Sequence, residues 1–193
     1  MNNSPNIKDK KFLDDYWLRY QKLFFESRND EDILNFRNSI ASTFENNGRL
    51  IFIGNGASAS LSSHAATDFT KQAKIPSIAF NDHNLVTALS NDYGYENWVS
   101  KAIEYYVKPC DRIIFISVSG NSPNLVNGLK FAKKENIPNA SLTGSNPNNF
   151  LNINSDYSIW VDSKSYNIVE SIHTIYITLI IDLFIGKTIY SVN

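Results

Sequence analysis

Five short apolar runs punctuate the chain: LIFIG at 50–54, SIAF at 77–80, RIIFIS at 112–117, ASLTG at 140–144 and YSIWV at 157–161. Runs this short match strands better than core helices. The first, third and fifth are mostly unbroken rather than alternating, which predicts strands covered on both faces. Between the runs, apolar residues recur at helical spacing over 58–72, over 84–107 in two pieces, over 123–135 and over 165–187. Strands alternating with helices predict an α/β fold: a doubly wound, five-stranded parallel sheet in three layers, with right-handed crossovers. Ligands of such sheets bind beyond the carboxyl ends of the strands, so the loops after the runs are expected to carry function.

Two helices lead into this pattern. Residues 7–27 place Phe12, Tyr16, Tyr20, Leu23 and Phe24 at three-to-four spacing. A second helix is expected after Asn29-Asp30, with the stripe Ile33, Phe36, Ile40 and Phe44 and a stop at Gly48. No low-complexity linker divides the chain. The expectation is one domain over 1–193, with a helical lead-in over 1–47 and an α/β core over 48–190. A length of 193 residues with 42% apolar residues supports a core of that size.

The charge balance of -1 argues against nucleic acid as a direct partner. Cys110 is the single cysteine, which excludes an intramolecular disulfide and a multi-cysteine zinc site. It is expected to be packed at the start of a buried strand. The polar N-terminus lacks a signal-peptide core. The apolar stretch 168–186 is interrupted by Glu170, His173 and Asp182, so it does not read as a membrane span. A cytoplasmic protein is expected. The final helix is apolar nearly all round, which predicts burial on every side, in part by a partner subunit of a homo-oligomer.

Three loops after strands stand out. In GNGASAS (54–60), Gly54 and Gly56 permit a tight turn, and Ser58 and Ser60 place hydroxyls near a helix start. It is not a dinucleotide fingerprint, because Ala59 stands where a third Gly would be needed. In SVSGNSPNL (117–125), Ser117, Ser119 and Ser122 crowd around Gly120 and Asn121. Ser122 suits an N-cap and Pro123 the first helical position. Free backbone N–H groups at a helix start, with hydroxyls beside them, make an anion site without Lys or Arg. LTGSNPNN (142–149) reads equally as a structural turn or as part of a site. His83, at a strand end, is expected near the pocket rim, most simply without touching a ligand.

GNGAS followed by a His, then NDYG, then S-V-S-G-N-S, then E-x-x-H on the last helix resembles the sugar isomerase (SIS) domain proteins. Within these it looks most like the phosphoheptose isomerase group, over roughly residues 10–187. The resemblance implies a five-stranded parallel sheet with N-terminal helices and a long C-terminal helix, a tetramer, and a phosphorylated sugar such as sedoheptulose 7-phosphate as substrate. It assigns substrate binding to Asn55, Gly56, Ala57, Asn91, Asp92, Ser117, Val118, Ser119 and Ser122.

The catalytic carry-over is less direct. His64 matches the family's helix His, whereas Asp68, Glu170 and Thr178 stand where a Glu, a Gln and a last-helix His are expected. Isomerisation through an enediol needs a base near carbon and an acid near oxygen. The implied set is Asp68 as base with His64, Glu170 and His173 assisting, and zinc on His64, Asp68 and Glu170. A reading from another class is a non-catalytic phosphosugar-binding or scaffold protein. It resembles the bacterial replication-initiator-associating SIS protein, which also lacks the Glu and the last-helix His.

Overall fold

The structure is a computed structural model that describes residues 7–191. Two helices, α1 (Ile7–Phe25) and α2 (Asp30–Glu45), precede β1 (Leu50–Gly54) and α3 (Ala57–Lys71). Then come β2 (Ser77–Ala79), α4 (His83–Tyr93), α5 (Trp98–Tyr106), β3 (Arg112–Ser117) and α6 (Pro123–Lys134). The chain ends with β4 (Asn139–Thr143), α7 (Phe150–Asn154), β5 (Tyr157–Trp160) and α8 (Tyr166–Ile185). The Asn29 side chain caps α2 by accepting from the N–H groups of Glu31 and Asp32.

All five strands are parallel, in the order β2-β1-β3-β4-β5. Alternate residues serve opposite faces. Leu50, Phe52, Ile114 and Ile116 pack with α2, α3 and α8, while Ile51, Ile53, Ile113 and Phe115 pack with α5, α6 and α7. Each fully buried Ile or Phe stabilises the fold by roughly 1.5–3 kcal/mol. The strand order reverses direction between β1 and β3, whose registers run from Leu50↔Arg112 to Gly54↔Ile116. Their carboxyl ends diverge into loops on opposite faces, and that divergence opens a ligand crevice.

The structure corrects several expectations. β5 is not covered on both faces: it is an edge strand, with Tyr157 exposed and only Ile159 of its residues buried. β4 is buried throughout, as β1 and β3 are, despite Asn139, Ser141 and Thr143. Hydrogen bonds compensate its polar groups, as burial demands. Asn139 N–H donates to Asp156 and its Oδ1 accepts from Asp156 N–H, each at 3.0 Å, while Thr143 Oγ1 accepts from Asn149 at 3.3 Å. Cys110 is exposed rather than packed. It lies in the turn before β3, where Asp111 N–H donates to the Lys108 carbonyl at 3.0 Å.

α8 is not buried on every side of the protomer. Ile168, Ile172, Tyr176, Ile177 and Ile180 face the core, whereas Ile175, Leu179 and Leu183 are exposed. By length and composition α8 could cross a membrane, but one face is part of the core of this domain. Phe44, expected in the α2 stripe, is exposed where Phe36 and Ile40 are fully buried. α1 buries only Leu23 and leaves Phe12, Trp17 and Phe25 at 66%, 64% and 75% exposure.

Candidate functional site

β3 ends at Ser117, and α6 begins six residues later at Pro123, behind Ser122. Ser122 adopts the extended N-cap conformation, yet its hydroxyl makes no capping bond, so it is free toward the crevice. Ser117 Oγ accepts from Gly120 N–H at 3.1 Å and Ser119 Oγ from Asn121 N–H at 3.3 Å. These bonds curl the loop around Gly120, which has φ +62°. A Cβ there would be strained and would collide with the Asn149 side chain.

The 142–149 loop is the support for this curl. Gly144 N–H donates to Val118 O, Leu151 N–H to Gly120 O, and Phe150 N–H to Asn121 Oδ1, at 2.9–3.0 Å. Asn149 is buried and holds its own loop, donating to Asn146 O at 2.8 Å and Gly144 O at 3.2 Å. It also accepts from Asn152 N–H at 2.9 Å, as the cap of α7. This supporting role has a weak trace in the sequence, since NPNN before an apolar pair is a capping pattern.

The loop after β1 meets the serine loop through paired amides. Asn55 Nδ2 donates to Asn124 Oδ1 at 3.0 Å, and Asn124 Nδ2 donates back to Asn55 Oδ1 at 2.9 Å. Tyr95 adds its hydroxyl to Asn55 Oδ1 at 3.2 Å. Sequence reasoning missed both Asn124 and Tyr95. Asn124 lies in the first turn after Ser-Pro, where a polar side chain can reach back to the crevice. Tyr95 follows Gly94, whose φ of +82° ends α4 and turns the chain toward β1.

A cavity of about 100 Å³ lies between these loops. Asn55, Ser58, Ser117, Val118, Ser119 and Ser122 line it, with Ile116, Tyr166 and Glu170. At about 30 Å³ per water, it holds a group of roughly three water volumes. No Lys or Arg lines it. The α6 N-terminus, worth roughly half an elementary charge, and the hydroxyl donors favour an anion there, against the Glu170 carboxylate in the same lining.

A larger cavity of about 560 Å³ shares Ser58 and Glu170 with the small one. It is lined by Ala57, Ser60 and His64 of α3 and by Asn167, His173 and Thr174 of α8, among others. His64 is half exposed, and its Nε2 lies 3.3 Å from Asp68 Oδ2, one turn further along α3. Asp68 itself lines neither cavity; its carboxylate turns toward His64 instead.

His173 is fully buried, with Nε2 3.1 Å from the Thr143 carbonyl, which fixes the proton on Nε2. Burial pushes its pKa down to about 4, against the smaller opposing effect of that carbonyl. It is therefore neutral near pH 7. Its Nδ1 has no partner among the described residues.

Asn91 and Asp92 are exposed and bonded to each other at 2.9 Å, and they line neither cavity of the protomer. Gly56 has φ +57° at the N-cap of α3 and is exposed. His83 is exposed as the first residue of α4, away from both linings. Thr178 donates its hydroxyl to the Thr174 and Ile175 carbonyls at 3.1 and 3.0 Å.

The zinc set does not assemble within the protomer. Among the described residues no three His, Cys, Asp or Glu side chains gather as a metal ion requires. His64 and Asp68 pair with each other, and Thr178 is a neutral hydroxyl already bonded to backbone. Within one protomer the His64–Asp68 pair and Glu170 thus form no assembled zinc site among the described residues.

Sequence comparison places these features in a family. A profile of the SIS domain matches residues 17–144, more than half of the chain. A probable phosphoheptose isomerase of Thermoplasma volcanium is 34% identical over 140 residues, covering 69% of this chain and 71% of that protein. The phosphoheptose isomerase of Maridesulfovibrio salexigens is 30% identical over 162 residues, covering 81% and 78%. Among solved structures, phosphoheptose isomerase GmhA from Neisseria gonorrhoeae superposes with TM-score 0.82 at 23% identity, covering 92% of this chain and 97% of that one. A phosphoheptose isomerase from Francisella tularensis gives TM-score 0.81 at 20% identity, covering 93% and 97%. At these identities the structural likeness speaks for the fold, and the fold it speaks for is the one the strand order and the serine loop define. The chain belongs to the SIS domain family.

Proposed function

We propose that this protein is a phosphosugar aldose–ketose isomerase of the sedoheptulose 7-phosphate isomerase type. The observation that carries the reading is the junction of two cavities. A small anion pocket at the α6 N-terminus lies beside a bay that presents His64, and the two share Ser58 and Glu170 in their walls. A phosphoryl group in the first places a sugar carbon chain in the second. Relatives at 30–34% identity are phosphoheptose isomerases, which supports the same substrate class.

In this reading Ser117, Ser119, Ser122 and the Val118 segment hold the phosphate, and Asn55, Gly56 and Ala57 border the sugar. The proton moves between C1 and C2 through an enediol, with His64 and Glu170 as the titratable pair facing the bay. Asp68 works through His64, holding the imidazole by its Nε2. His173, neutral and fully enclosed, shapes the bay and neither gives nor takes a proton near pH 7. The exposed apolar faces of α1 and α8 support a homo-oligomer, a tetramer by family resemblance, and the cytoplasm is its proposed location.

Proton NMR of sedoheptulose 7-phosphate with the protein in D₂O, with and without added zinc, tests this reading. Deuterium at C1 or an aldose product is expected, and both are lost in His64→Asn. Binding without exchange would instead support the scaffold reading, which the bonded Thr178 hydroxyl on α8 favours over a second catalytic imidazole there. Activity only with zinc would overturn the metal-free donor assignment.

A further inference from the structure

At the amino edge of the sheet, opposite the serine loop, Arg112 opens β3 and is only 7% exposed. Its Nε donates to Thr43 Oγ1 at 2.9 Å and its Nη1 to the Asn139 carbonyl at 3.2 Å. The guanidinium lies 5.4 Å from the centre of the Tyr157 ring. A guanidinium has five donors. Nη2 finds no acceptor among the described residues.

A buried charge is ordinarily paired. Here the neighbouring carboxylates are engaged elsewhere. Asp111 is bound to Arg49 at 2.7 Å. Asp156, whose charge acts on Arg112 from beyond ion-pair distance, accepts from Asn139 N–H at 3.0 Å and sits 3.8 Å from Lys133. The carboxyl end of α2, where Thr43 lies, offers roughly half a negative charge. Among the described residues no carboxylate lies within ion-pair distance of the guanidinium.

A cavity of about 420 Å³ opens beside this cation, bordered by Ser42, Asn46, Pro109, Cys110 and Pro138. It has no acidic residue in its lining. Ser42 brings a hydroxyl to the same lining, while the Asn46 amide already donates to the Ser42 carbonyl at 2.8 Å and has one N–H left to offer. Donors converging from several directions on a fixed cation match a tetrahedral oxyanion.

We propose that this cavity is a second anion site, which binds a phosphoryl group on Arg112 and is separate from the serine loop. The two sites differ in kind. The serine loop offers neutral donors and a helix end, whereas Arg112 offers a full charge, so affinity at Arg112 falls more steeply with salt. The phosphoryl group can belong to free phosphate or to a small phosphate ester.

The test is an amide NMR titration with inorganic phosphate, repeated with glycerol phosphate and with potassium chloride. Phosphate is expected to shift amides 42–46 and 110–112 saturably, apart from any response at 118–122. Losing a charge-assisted bond in Arg112→Gln should weaken the first response about ten- to a hundredfold and leave the second in place. That second response shows in the same spectrum that the variant is folded. Ser119→Ala should do the reverse. A matching response to glycerol phosphate identifies ester binding, and its absence identifies free phosphate.

The proposal fails if amides 42–46 and 110–112 stay still, if chloride moves them equally, or if Arg112→Gln leaves them moving. A readout without any variant is the rate at which a neutral maleimide labels Cys110. Phosphate should slow labelling where chloride at equal ionic strength does not, and an unchanged rate overturns the site.

Discussion

The two ends of the crevice are built differently. The phosphate end is closed by backbone: a curled loop, a helix start, and a second loop bonded behind it, all within one protomer. The sugar end is lined by side chains of α3 and α8, two helices that lean on each other with part of their surface open. His64 is 53% exposed there, and exposed apolar residues of α8 lie nearby in sequence. In the proposed reading, binding is thus fixed by the sheet topology, whereas chemistry depends on a few side chains between two helices. On that reading the first is hard to lose by substitution and the second is easy to rewrite, and the resemblance puts Asp68, Glu170 and Thr178 at such positions.

Substitutions at the sugar end should break turnover and spare binding. His64→Asn and Glu170→Gln are each expected to lower kcat about 10²–10⁴-fold, the range for removing an acid or base. The Kd for the phosphosugar, measured by calorimetry, should change little. Asp68→Asn should cost less than His64→Asn, because it disturbs only the orientation of the imidazole. Equal losses in kcat and affinity for His64→Asn would erase the proposed division between the two ends.

Substitutions at the phosphate end should do the opposite. Gly120→Ala forces a left-handed conformation, worth about 1–2 kcal/mol, and collides with Asn149. The loop must rebuild, and binding should fall further than for any single serine. Ser119→Ala or Ser122→Ala removes one donor to a charged group, which corresponds to about ten- to a hundredfold in Kd. Turnover at saturating substrate should persist in both. An unchanged Kd in the double serine variant would remove the phosphate from this loop.

The same contrast explains what the sequence made legible. The strands and most helices follow from apolar periodicity, and the serine loop follows from local chemistry that lies together in the chain. The expected burial of β5 fails because burial depends on a strand's place in the sheet. The order puts polar β4 inside and apolar β5 at an edge. The Asn55–Asn124 pair spans 69 residues, and no local pattern announces it. Asp68 turns toward His64 by a choice of side-chain rotamer, which spacing alone leaves open. α8 reads as buried all round because hydropathy does not say which apolar face a single protomer covers.

His173 offers the smallest effect and the most direct view of the boundary between structure and chemistry. Its pKa is depressed to about 4, against about 6.5 for an unfolded histidine. Between those values the unfolded chain holds a proton that the folded chain does not, so stability rises with pH across that window. The contribution is fully present above about pH 6.5, declines as pH falls, and is lost by about pH 4, an effect of about 3 kcal/mol. Carboxylates titrate over part of the same range, so the informative quantity is the difference between wild type and His173→Gln in denaturant unfolding. That difference should shrink on acidification from pH 6.5 to 4, while the pH profile of turnover keeps its shape. A difference independent of pH would mean that His173 takes up its proton in the folded state, and His173 would then join His64 among the groups able to move one.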